Sequence, residues 1–150
     1  MTPKTQKYKS PDASGHSGDC YRTALASLLD MDRDDVPHFY DLPAGCLPET
    51  LKAADAWRRR WLRENGYDLV NISLCAEDPT QAMEALSRTS PQGMRYLLIG
   101  ESKNGCGHAV IVRDGEIEHD PSQDQSGIVG PDPSSGCYWA EFVVRGSVVT

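Results

Sequence analysis

The sequence predicts an α+β domain, on three observations. Apolar residues recur at helical spacing near the start of the chain, and runs of strand length dominate after Pro91-Gln92-Gly93. Neither an internal repeat nor a linker divides the 150 residues. Helices first and sheet last is the order of a domain whose N-terminal helices pack on an antiparallel β-sheet. A chain of this size buries most of what its unfolded form exposes, so one core suffices without covalent staples.

Residues 1–17 are polar and rich in Ser, Gly, Pro and Lys, which predicts a loosely ordered entry segment that becomes fixed near Gly18. From Cys20 onward Ala24, Leu25, Leu28 and Leu29 keep helical spacing, with Asp19 or Ser17 placed to cap the start. The Asp-rich stretch 31–35 closes that helix, and Pro37 prevents its continuation. Pro48-Glu49-Thr50 opens a second helix, whose stripe of Leu51, Ala54, Trp57, Trp61 and Leu62 runs down to Gly66. Arg58, Arg59, Arg60 and Arg63 are expected on its solvated face, near the C-terminal dipole, rather than around an anion. A strand over 67–74 and a short helix over 79–86 follow. Strands over 95–101, 108–113, 116–120 and 138–144 complete the chain, the second and third of them joined by the hairpin signal Asp114-Gly115. Residues 121–136, built of Pro, Ser, Gly, Asp and Gln, form a loop of a length that is usually functional or mobile.

Fifteen basic against 22 acidic residues give a formal charge of −7, which argues against a grip on nucleic acid or on an anionic membrane. The N-terminus has no apolar signal region and no run approaches a membrane span, so a cytoplasmic, soluble protein is expected. Five cysteines, at 20, 46, 75, 106 and 137, are odd in number and lack a CxxC pair, so no disulfide framework is expected. Cys106 and His108 are the nearest candidate metal ligands, too few for structural zinc, and neither metal nor cofactor is expected.

In the stretch SGDCYRTALASLL, Cys20 stands where a polar loop turns into a helix. A thiol attacks as thiolate, and the unpaired N–H groups of a helix start favour negative charge, on the sulfur or on an oxyanion beside it. Such a nucleophile needs a base and something to orient the base. His108 follows glycines at the mouth of an apolar strand in GCGHAVIV, and Asp120 lies across the Asp114-Gly115 turn in EHDP. With a two-residue turn, His108 faces Pro121 and shares a face with His119, leaving Asp120 on the other face; the apolar grouping of Val110, Val112 and Ile117 favours this arrangement. A three-residue turn, or a bulge, brings Asp120 to the side of His108. Taken singly, Cys20 reads as a small core residue, His108 as a satisfied strand-end histidine and Asp120 as a turn residue. Only the set, in this order, points to chemistry. Tyr138 and Trp139 read as core sooner than pocket, and His16, His38 and His119 carry no assigned role.

Cys20 on a helix, followed much later by GHAVIV and HDP, resembles the papain-like cysteine peptidase and transglutaminase superfamily. The stretch GDCYRTALASLLDMDRDDVPHF is similar to the opening of small bacterial and phage-encoded members and of the butirosin-type acyltransferase domain. The resemblance covers residues 18–39 and 107–121 and leaves the middle unmatched. It implies a single papain-like domain over 1–150, with Cys20 as nucleophile, His108 as general base and later acid, and Asp120 as the group that orients the imidazole. It also implies an oxyanion-donating glutamine upstream of the cysteine. Position 14, where that spacing falls, is a serine, and Gln6 is the only upstream glutamine, at a distance that argues against it.

The expected function is therefore that of a cysteine-dependent hydrolase or acyltransferase acting on an amide, ester or thioester of a peptide or small acyl substrate. The rival expectation is a phage-type binding or inhibitor protein on the same fold, which sequesters a host protein or signalling molecule through the 121–136 loop and its acidic face. In a third reading the chain is an inactive member whose cysteine is simply core.

Overall fold

The computed structural model describes residues 1–8, 18–43 and 46–146. Among them lie three α-helices, α1 (Cys20–Leu29), α2 (Pro48–Glu64) and α3 (Pro79–Ser87). The strands β1 (Tyr67–Leu74), β2 (Arg95–Glu101), β3 (Gly107–Arg113), β4 (Glu116–His119) and β5 (Tyr138–Arg145) form one antiparallel sheet in the order β1-β5-β2-β3-β4. The fold is α+β, and each regular element falls where the apolar spacing puts it to within a residue or two. None of the helices is long and apolar enough to cross a membrane.

Strand alternation sorts the core into two layers. Leu97, Ala109 and Ile111 face α1, where Ala24 and Leu25 join Val36, Phe39, Leu62 and Leu69. Tyr96, Leu98, Val110 and Val112 face the other way, together with Tyr138, Ala140 and Phe142 of β5, and are covered by Ala82, Met83 and Leu86 of α3. β3 is thus buried on both faces, which accounts for its unbroken apolar run.

Helix boundaries follow local chemistry. α1 ends on Asp30, which is left-handed (φ 55°) and donates its N–H to the carbonyls of Ala26 and Ser27. Pro79 starts α3, with the Asp78 carboxylate accepting from the Gln81 N–H at 2.8 Å. Asp19 holds the equivalent position at α1 but makes no cap bond; its Oδ1 accepts from the Tyr8 N–H at 2.9 Å instead. The expected cap is therefore a tie between the entry segment and the helix. Ser17, the other candidate, lies outside the described residues.

Two further expectations change. The loose entry segment expected over 1–17 is held down over residues 1–8: Thr2 N–H donates to Ser27 O at 3.1 Å and Gln6 N–H to Pro121 O at 2.8 Å, and His119 Nε2 lies 2.6 Å from Lys4 O. Residues 9–17 lie outside the described set. The second change concerns α2, whose buried positions are Ala54, Arg58 and Leu62, while Leu51 and Trp57 are 42% and 41% exposed. Arg58 is not on the solvated face. Its Nη1 lies 2.6 Å from Glu141 Oε1, and Glu141 Oε2 accepts from the Tyr21 hydroxyl at 2.6 Å. A buried carboxylate on β5 needs a cation opposite it, and that requirement turns the helix by a notch from its purely apolar stripe.

The 121–136 loop is docked on the sheet end rather than free. Glu101 N–H donates to Gly130 O and Val129 N–H to Glu101 O, both at 2.8 Å. Gly100 permits this approach, since a Cβ there would lie 2.5 Å from both Gly130 O and Ile128 Cγ2.

Candidate active site

The relation between His108 and Asp120 is settled by the hairpin. Arg113 pairs with Glu116 across a two-residue turn whose Asp114 (φ 51°) and Gly115 (φ 83°) are both left-handed, the conformation that suits a tight hairpin. Val112 then pairs with Ile117, but Ile111 pairs with His119, so Glu118 is an extra residue in β4. Because side chains alternate, one inserted residue reverses the faces of everything beyond it. The short turn alone would send Asp120 away from His108; the bulge returns it. Glu118 itself is gripped by a fork of Arg95 on β2, with Nε 2.6 Å from Oε2 and Nη2 3.0 Å from Oε1, and this pairing holds its carboxyl below the usual range.

His108 Nε2 lies 2.7 Å from Asp120 Oδ1, and both side chains are buried. The carboxylate also accepts the Ser122 N–H on Oδ1 at 2.9 Å and the Gly127 N–H on Oδ2 at 2.6 Å. Gln125 Nε2 donates to the Asp120 carbonyl at 2.8 Å. The long loop thus has a local task, which is to supply the donors that fix this carboxylate. Burial works against charge on Asp120, but the hydrogen bonds from His108 and Ser122 outweigh it and carry its pKa down to about 2. Burial likewise works against a charged His108, yet Asp120 and Cys20 outweigh it and raise the ring to about 10. At neutral pH the two form a buried ion pair.

Cys20 is the first residue of α1 and is buried, and α1 packs along β3, so the sulfur arrives at the strand's start. Its Sγ lies 3.9 Å from the Gly107 carbonyl oxygen and acts directly on the His108 ring. With Nε2 committed to Asp120, Nδ1 is the ring nitrogen left to serve the sulfur. Cys20 and His108 share a cavity of about 680 Å³ that also reaches Leu42, Leu51, Trp139 and the Arg58–Glu141 pair. All three residues singled out in the sequence are brought together.

One prediction follows from the ion pair. His108, raised from a usual 6.5 to about 10, contributes stability that is complete below pH 6.5 and disappears as pH rises through 10. Asp120, lowered from 3.8 to about 2, contributes fully above pH 3.8 and loses its contribution as pH falls through 2. The pair is therefore at full strength between about pH 4 and 6.5. Urea unfolding from pH 6 to 10 is expected to show stability declining with pH, and His108→Ala to flatten that decline. An unchanged slope in the variant would refute the pairing.

Gln6, set aside in the sequence for its distance from Cys20, comes near that residue in space. It is buried, lines the same cavity as Cys20, and donates from Nε2 to the Tyr8 carbonyl, which leaves the second hydrogen of that amide. Glu141 was also missed, although an acidic residue in the middle of the apolar run YWAEFVV is a signal that something basic must meet it. Trp139 lines the cavity, whereas Tyr138 is core. His38 Nε2 lies 3.2 Å from the Gly18 carbonyl, and His119 anchors the entry segment, so both have structural partners. Ser14 and His16 lie outside the described residues. Among those described, no group of three or more His, Cys, Asp or Glu side chains is placed to hold a metal ion.

Comparison with models of known protein families, with curated proteins and with solved structures finds no match. The site is read from its own geometry.

Proposed function

We propose that the protein is a cysteine-dependent hydrolase or acyltransferase of papain-like type, acting on an amide, ester or thioester of a peptide or small acyl compound. The observation that carries this reading is the buried His108–Asp120 pair beside a cysteine at a helix start, with Cys20 and His108 opening on one cavity. A cationic ring beside a sulfur is the surrounding that a thiolate needs. The Cys20 sulfur attacks the carbonyl carbon, and the oxyanion forms within reach of the first-turn N–H groups of α1, which have no intrahelical carbonyl to bind. Gln6 is the side-chain donor proposed for the same oxygen. As the tetrahedral intermediate collapses, His108 gives its proton to the leaving group and an acyl-enzyme remains. Water or an amine then attacks that acyl group, His108 takes its proton, and the thiolate leaves. Water gives hydrolysis and an amine gives transfer. Asp120 keeps the ring in the tautomer and orientation that both steps use.

The experiment is the rate of iodoacetamide alkylation at each of the five cysteines against pH, in the folded protein and in His108→Ala, read by peptide mass spectrometry. Cys20 is expected to react fastest below neutral pH in the native protein and to lose that lead in the variant. An inert Cys20, or one indifferent to His108, would turn the inquiry to the binding-protein reading.

A further inference from the structure

We infer that Cys75 and Cys137 are a reversible redox pair, closed to an intramolecular disulfide by small-molecule disulfides such as glutathione disulfide. The register carries the inference. The β1–β5 ladder ends with Leu74 opposite Tyr138, and the next residues in the same register are Cys75 and Cys137. Directly opposed residues of antiparallel strands have Cα atoms about 4.5–5.5 Å apart. A disulfide requires about 4.4–6.8 Å. The two sulfurs already interact: partial burial, the Cys75 sulfur and Asp132 together push the Cys137 thiol up. No other two of the five cysteines stand at facing positions that continue a strand ladder.

The chemistry needs no group beyond the oxidant. Cys75 is exposed and Cys137 half-buried, so Cys75 meets the reagent first. Its thiolate attacks one sulfur of glutathione disulfide, forming a mixed disulfide and releasing one glutathione thiolate. Cys137 then loses its proton and attacks the Cys75 sulfur, expelling the second glutathione. Two protein thiols become one disulfide, and one glutathione disulfide becomes two glutathiones. The second step is intramolecular, so the mixed disulfide does not accumulate.

The bond would tie down one wall of the cavity. Cys137 O accepts from Asp132 N–H at 2.9 Å, and Ser135 Oγ accepts from Cys137 N–H at 3.3 Å and from Trp139 Nε1 at 2.9 Å. Asp132, Ser134, Ser135 and Trp139 all line the cavity. Oxidation therefore fastens that rim to the edge strand β1, whether or not Cys20 is a nucleophile.

The folded full-length chain would be equilibrated with glutathione redox buffers, quenched with a maleimide, digested with trypsin and read by mass spectrometry. Peptides 64–88 and 114–145 are expected to appear joined, with the loss of two of the five thiols, reversal by dithiothreitol, and the same result in Cys20→Ala. Cys75→Ser is expected to abolish the joined peptide while keeping the fold, since the position is exposed. The inference is overturned if both thiols of the native protein stay alkylatable, or if Cys75 retains glutathione while Cys137 is still modified by maleimide.

Discussion

Replacing His108 with alanine is expected to slow acyl transfer from an activated thioester or aryl ester by about 10²–10⁴-fold, the contribution of a positioned general acid and base. Cys20→Ala is expected to remove turnover altogether, because no sulfur remains to carry the acyl group. The two changes differ in their cost to the fold. Cys20 is a small side chain at a helix start, and its removal takes away little packing. His108→Ala strips a cation from a buried carboxylate, but Asp120 keeps the N–H groups of Ser122 and Gly127, so the chain still solvates that charge. Both variants are therefore expected to fold, which urea unfolding checks before kcat/KM is compared. Turnover that persists in Cys20→Ala sinks the thiol mechanism. In that event deletion within the 121–136 loop becomes the decisive variant, because the rival reading places its working surface there.

The largest effect on stability is expected at Glu141. Arg58 and Glu141 are 4% and 2% exposed, and the Tyr21 hydroxyl completes the set. Burial works against the charge on Arg58; Tyr21, Glu141, Tyr40 and Asp55 outweigh it and hold the guanidinium above its usual range. Glu141→Ala takes away the nearest partner of this buried cation and leaves it only the longer contacts to Asp55 at 3.8 Å and the Tyr21 hydroxyl at 3.4 Å, a change that costs up to about 3–5 kcal/mol. The joint replacement Arg58→Met with Glu141→Leu should recover most of the loss, since an apolar pair of similar volume removes the desolvation of both charges. Urea midpoints for the single and joint variants test this. Equal losses in the two would show that packing, not charge, explains the site. Because Tyr21 is the residue after Cys20, the single variant should also slow alkylation of the cysteine.

Much of the fold was legible in the sequence because helices and strands announce themselves by local period. The helix from Cys20 carries Ala24, Leu25 and Leu28 at helical spacing, and β3 is a run of apolar residues ended by Asp114-Gly115. The same local signals left Arg58 on the wrong face, because its burial depends on Glu141, 83 residues away. Gln6 was hidden for a similar reason: its position is set by a backbone bond to Pro121. The triad's register lay between these cases. A two-residue turn could be read from Asp114-Gly115, but the bulge that corrects it depends on Arg95 seizing Glu118 across the intervening strand. Long-range contacts, charged or hydrogen-bonded, rather than local propensity decided the sites where the sequence fell short.

The Asp120 carboxylate has two clients, a histidine ring and the backbone of its own loop. Thermodynamic linkage makes that arrangement reciprocal. Whatever draws Gly127 or Ser122 away from the carboxylate leaves its negative charge less shared, and the ring beside it then holds its own proton more firmly. In the other direction, the ring's loss of its proton weakens its claim on Asp120, and the carboxylate then binds the loop's N–H groups more tightly. The 121–136 segment is thus a balance arm for the acid–base setting of the cavity, and a molecule that rests on that loop would retune His108 without touching it.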